Sequence, residues 1–85
     1  MLTRTQRQGL RLYSQRGRNR LGAAIALTGV TQTDIEAATG LSQSYVSRIK
    51  RGAYVDLPGE TMRALAVYFG CTIEDLFPAR KAGGR

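Results

Sequence analysis

The punctuation of this chain restricts it to short helices. Three stretches open with one grammar: Thr31 stands three residues before Asp34 in "VTQTDI", Thr72 three before Asp75 in "CTIEDL", and Ser42 three before Tyr45 in "LSQSYV". A hydroxyl at a helix start accepts from the backbone N–H three residues on, and an acid at that position returns a bond to the capping residue. An apolar residue precedes each cap and can staple onto one in the first turn, as Val30 onto Ile35, Cys71 onto Leu76 and Leu41 onto Val46. Glycines then close the runs at Gly40, Gly52 and Gly70, as expected where a helix ends in the left-handed conformation. The spacing predicts helices over residues 18–28, 32–39, 43–51, from about Pro58 to Gly70, and 73–77, the last stopped by Pro78. A weak alternation in "LRLY", at Leu10 and Leu12, is the sole competing strand signal. The expected fold is all-α, a compact bundle of about five short helices.

The second and third of these helices are separated by Gly40-Leu41-Ser42. Two short helices joined by a three-residue turn containing glycine make a helix-turn-helix. The expected organisation is a basic N-terminal arm over 1–16, a folded domain over 17–78 and a basic tail over 79–85. A chain of 85 residues holds one small domain with a thin core, so its caps carry weight. One cysteine allows no intramolecular disulfide and fits a reducing compartment. No run approaches the roughly 18 apolar residues of a membrane span, and "MLTRTQRQGLRLY" lacks a signal peptide's apolar core. We expect a cytoplasmic protein.

The net charge of +7 is unevenly placed. Residues 1–33 hold Arg4, Arg7, Arg11, Arg16, Arg18 and Arg20 with no acid, and residues 79–85 add Arg80, Lys81 and Arg85. Between them lie all six acids and only four bases, three of which are Arg48, Lys50 and Arg51. A basic arm favours a polyanion through counterion release. No histidine is present, which removes triads and imidazole metal sites. Cys71 has the position of a small buried apolar residue, and Glu74 and Asp75 are explained by capping. No enzyme activity, metal, cofactor or small-molecule ligand is expected.

The stretch "TGLSQSYVSRIKRG" carries the functional signal. At about 100° per residue, Tyr45, Val46 and Ile49 share one side. Gln43, Ser44, Ser47, Arg48 and Arg51 share the other, with Lys50 at its edge. Glutamine can pair bidentately with adenine, arginine with guanine and serine with either. A solvated helix face normally mixes acids with bases, yet nineteen residues without an acid separate Glu36 from Asp56.

In order, these residues resemble the phage-repressor helix-turn-helix family of XRE, or Cro/CI, type. The matching string runs from Gly29 to Phe77: "GVTQTDIEAATGLSQSYVSRIKRGAYVDLPGETMRALAVYFGCTIEDLF". The resemblance implies a lambda-repressor-like DNA-binding domain, with Gln43, Ser44, Ser47 and Arg48 as base readers. It implies phosphate contacts from Thr31, Gln32, Ser42, Tyr45, Lys50, Arg51 and Tyr54, with Gln32 also buttressing Gln43. It further implies a transcriptional regulator, most simply a repressor, bound to double-stranded DNA.

Three departures qualify the match. Glu36 stands where relatives usually have alanine, at the helix crossing. Ile25 and Lys50 stand where many members pair an arginine with a glutamate, so both partners of that bridge are replaced together. The arm is longer and richer in arginine than the motif requires, and Arg4, Arg7, Arg11, Arg16 and Arg18 are expected along the minor groove or the phosphates. A homodimer on a palindromic operator is the expected assembly, through Val67, Tyr68, Ile73 and Phe77. The competing reading is a module that docks onto a protein, such as an antitoxin or a phage factor engaging host polymerase. A mobile-element accessory protein is a third option.

Overall fold

A helix leaves about four N–H and four C=O groups unpaired at its two ends, so in a chain of short helices the ends set the architecture. The computed structural model describes residues 2–12, 19–54 and 56–78. Among the described residues there are six helices and no strand: α1 Arg4–Leu12, α2 Leu21–Thr28, α3 Gln32–Thr39, α4 Gln43–Lys50, α5 Gly59–Phe69 and α6 Ile73–Leu76.

The caps read from the sequence are present. Thr31 Oγ1 accepts from Asp34 N–H at 3.1 Å, and Asp34 accepts in return from Thr31 N–H at 2.9 Å. Thr72 and Asp75 form the same box, with both bonds at 3.1 Å. Ser42 Oγ accepts from Tyr45 N–H at 3.1 Å and opens α4. At the other end of α4, Gly52 has φ 79°. There Ala53 N–H reaches the Arg48 carbonyl at 3.0 Å and Gly52 N–H the Ile49 carbonyl at 2.9 Å, the paired bonds of a Schellman stop. Helix α5 closes the same way, through Cys71 to Ala66 and Gly70 to Val67.

The expected all-α bundle of about five short helices is present, with six among the described residues. The additional one is α1, drawn from residues read as a basic arm. Thr3 and Gln6 build its capping box: Thr3 N–H donates to Gln6 Oε1 at 2.9 Å and Gln6 N–H to Thr3 Oγ1 at 3.1 Å. Burial explains the docking of this segment, since Leu2 and Leu10 are both buried in the core. Three donors from the segment also satisfy carbonyls at other helix ends. Leu2 N–H bonds the Phe69 carbonyl at 2.8 Å, Gln6 Nε2 the Leu27 carbonyl at 3.0 Å, and Arg7 Nη1 the Gly70 carbonyl at 2.9 Å.

The remaining core unites one stripe from each helix: Leu21 and Ala24, Ile35, Val46 and Ile49, Leu65 and Phe69, and Leu76 with Phe77. Helix α2 begins at Leu21, three residues after the expected start, with Arg20 at the capping position and Asn19 ahead of it accepting from Leu21 N–H at 2.9 Å. Phe77, expected at a dimer interface, is fully buried in the core of its own chain. It is therefore unavailable to a partner.

Since α1 is part of the core, Leu10→Ala should destabilise the fold by about 2–5 kcal/mol, the usual cost of emptying a buried leucine site. Urea unfolding of the full chain measures this. A change under about 0.5 kcal/mol, the size of a neutral surface substitution, would contradict the docking of α1.

Candidate nucleic-acid interface

Three elements fix α4. The turn before it is closed locally: Thr39 Oγ1 donates to the Ile35 carbonyl at 2.7 Å and accepts from Leu41 N–H at 3.2 Å. Gly40 N–H bonds the Glu36 carbonyl at 2.8 Å. Gly40 has φ 80°, and no atom lies within 4 Å of where a Cβ would stand, so the backbone angle alone selects glycine there. Inside, Val46 and Ile49 are buried and Tyr45 half-buried. Behind, Asn19 Nδ2 donates to the Ile49 carbonyl at 2.8 Å while Asn19 Oδ1 accepts from Leu21 N–H at the start of α2. One side chain thus joins the start of α2 to the last turn of α4.

The sequence reading missed Asn19. Its legible signal was an Asx residue just ahead of an apolar helical run, "NRLGAAIAL". It also missed the box at Thr3 and Gln6, although that pair has the threonine-to-glutamine spacing of a capping box.

The outward side of α4 matches the predicted face. Gln43, Ser44, Arg48, Lys50 and Arg51 are exposed, with Ser47 half-buried beside them. Two hydrogen bonds organise this surface. Arg51 Nη1 donates to Ser47 Oγ at 3.0 Å, and Arg48 Nε donates to Tyr54 Oη at 3.0 Å. The Tyr54 ring meets Tyr45 edge-on, with centroids 5.5 Å apart and planes at 76°. The Lys50 stem runs across α2 at Gly22, where an added Cβ would lie 3.4 Å from Lys50 Cγ. Ile25 is half-buried and packs on the core. Glu36 is also half-buried.

The flanking residues gather at the same edge of the motif. Thr31 and Ser42 are exposed at the starts of α3 and α4. Each hydroxyl accepts a backbone N–H and keeps its own O–H free to donate. Gln32 is half-buried in the first turn of α3. No hydrogen bond joins it to Gln43 among the described residues, so the implied buttress is not made in the free chain.

The arginines of the N-terminal segment are distributed differently from expectation. Arg4 and Arg7 line a groove with Val67, Gly70 and Thr72, at the junction of α5 and α6. Arg7 is bonded to the Gly70 carbonyl. Arg16 and Arg18 lie outside the described residues, as do the side chain of Arg11 and the basic tail over 79–85. Of the residues assigned to a dimer interface, Val67 is 72% exposed while Tyr68 and Ile73 are half-buried.

A two-helix motif with a tight glycine turn, presenting an outward helix free of acids, defines a helix-turn-helix domain. A helix-turn-helix family model matches residues 23–76, which is more than half of the chain. The chain belongs to the XRE, or Cro/CI-like, helix-turn-helix family of DNA-binding regulatory domains. No curated protein and no solved structure matches it. The match begins within α2 and ends at the last residue of α6, so α1 lies outside it. Among the described residues no helix is long and apolar enough to cross a membrane.

Removing the amide that ties α2 to α4 has a direct consequence. Asn19→Ala should cost about 0.5–1.5 kcal/mol for each of its two lost hydrogen bonds. It should also speed amide exchange at Gly52 and Ala53, which close α4. Unchanged exchange there would show that the stop of α4 is independent of Asn19.

Proposed function

We propose that this chain is a sequence-specific transcriptional regulator, acting as a small repressor that reads the major groove of double-stranded DNA with α4. The observation that carries the reading is the outward face of α4: exposed glutamine, serine and arginine on a helix fixed on its inner side, with no acid from residue 37 to residue 55. Gln43, Ser44, Ser47 and Arg48 are the base readers, whose donors and acceptors suit the edges of adenine and guanine. Thr31, Gln32, Ser42, Tyr45, Lys50, Arg51 and Tyr54 hold the sugar-phosphate strands and set the register. The hydroxyls of Thr31 and Ser42 donate to phosphate oxygens while still capping their helices. The aliphatic stem of Lys50 rests on α2 at Gly22, which leaves its ammonium group as the phosphate-directed part.

One recognition helix covers few base pairs, and two-fold symmetry doubles the site. We therefore assign a homodimer on a palindromic operator with half-sites about one helical turn apart. Its interface includes the exposed Val67 with Tyr68 and Ile73. The protein works in the cytoplasm, on the nucleoid, without a cofactor.

In-vitro selection from random duplexes tests the reading, with an enriched palindrome as the expected result. Gln43→Ala and Arg48→Ala should each relax preference at one position per half-site by about five- to hundredfold, the worth of one bidentate contact. Residual salt-sensitive binding should remain in both variants. Enrichment of no motif by the unsubstituted protein would favour a domain that docks onto another protein.

A further inference from the structure

Tyr54 lies beyond the end of α4, yet the fold brings it back beside the recognition face. Gly52, in the left-handed region, turns the chain, and Ala53 N–H is bonded to the Arg48 carbonyl at 3.0 Å. Tyr54 follows, and its phenolic oxygen accepts from Arg48 Nε at 3.0 Å. Arg48 is therefore held twice, through its backbone by the helix stop and through its guanidinium by the phenol. The Tyr54 ring is itself fixed edge-on against half-buried Tyr45.

This arrangement decides which part of the guanidinium is free. Arginine can offer two adjacent parallel donors either from its side, through Nε and one Nη, or from its end, through both Nη atoms. With Nε occupied by Tyr54, only the end-on pair remains for a planar two-acceptor partner. The O6 and N7 acceptors of guanine present such a pair in the major groove. An unheld arginine would have to lose its rotamer freedom on meeting the base; here much of that freedom is already restricted.

We propose that Tyr54 is a specificity-positioning residue: it clamps Arg48 by Nε so that the end-on Nη edge reads guanine. The proposal rests on the DNA-readout reading of α4. It gives Tyr54 a role distinct from phosphate contact, because a phosphate contact carries no sequence information.

The test is Tyr54→Phe, which keeps the ring on Tyr45 and removes only the oxygen. Binding of the full chain is measured to its selected site and to variants at the base pair that Arg48→Ala relaxes. Discrimination at that base pair should fall about five- to tenfold, the scale of one lost hydrogen bond, while preference at the other positions persists. In the Arg48→Ala background, Tyr54→Phe should change discrimination no further. A uniform loss of affinity at all sequences, or an equal effect with and without Arg48, would overturn the proposal and leave Tyr54 as a backbone contact. Unaltered discrimination in a variant of unaltered melting temperature would overturn it too. If the unsubstituted protein selects no motif, the readout reading itself fails, and the clamp falls with it.

Discussion

The carbonyl of Ile49 is the point on which the motif depends. It accepts from Asn19 ahead of α2 and from Gly52 at the stop of α4, while the Ile49 side chain is buried in the core. Backbone carbonyls at a helix end are normally orphaned. Here one of them gathers a neighbouring helix, the glycine turn and the inner stripe of α4 into a single junction. The outward face can be polar because the inward face is fixed at so many points. Its residues carry little of the packing, so their identities are free to follow a partner rather than the core.

The parts of this fold that were legible in the sequence are those governed by local chemistry. Thr31, Ser42 and Thr72 announced their helices because a hydroxyl near orphaned N–H groups has one favourable use. Gly40, Gly52 and Gly70 announced stops because the left-handed region disfavours a Cβ. The spacing of Val46 and Ile49 among polar residues locates the two faces of α4. The reading failed where the deciding contact was remote. Leu2 and Leu10 look like isolated apolar residues in a basic run, and only the packing of their segment on distant elements, α2 and α6 among them, buries them. Phe77 looked like surplus apolar surface for the same reason, since its burial depends on tertiary closure. The base-reader assignments rest on the pattern of the face and on family resemblance, with Gln43, Ser44 and Arg48 exposed on it and Ser47 half-buried beside them.

The family match and the fold differ in extent. The matched region stops short of α1, yet the segment from Leu2 to Leu12 contributes two buried leucines and three donors to the remaining helices. A family domain of five short helices has a small interior. Adding this segment enlarges that interior on the side of α2 and α6 and closes carbonyls at the ends of α2 and α5. Arginines that a charge count would assign to nucleic acid are then divided. Arg7 serves a carbonyl within the fold, whereas Arg48, Lys50 and Arg51 remain on the surface of the motif. Net charge is a poor guide to the binding face in such a chain, because some cations are structural.

The bond from Leu2 N–H to the Phe69 carbonyl joins residues far apart along the chain. During synthesis, the first helix leaves the ribosome long before α5 exists to receive it. A nine-residue helix is marginal in water on its own, so α1 depends on its contacts with segments made later. Loop closure of this length is entropically costly and comes late. The helix-turn-helix is joined by contacts between neighbouring segments, whereas α1 is held by contacts of long sequence separation, so the completeness of the domain depends on parts of the chain that are never made together.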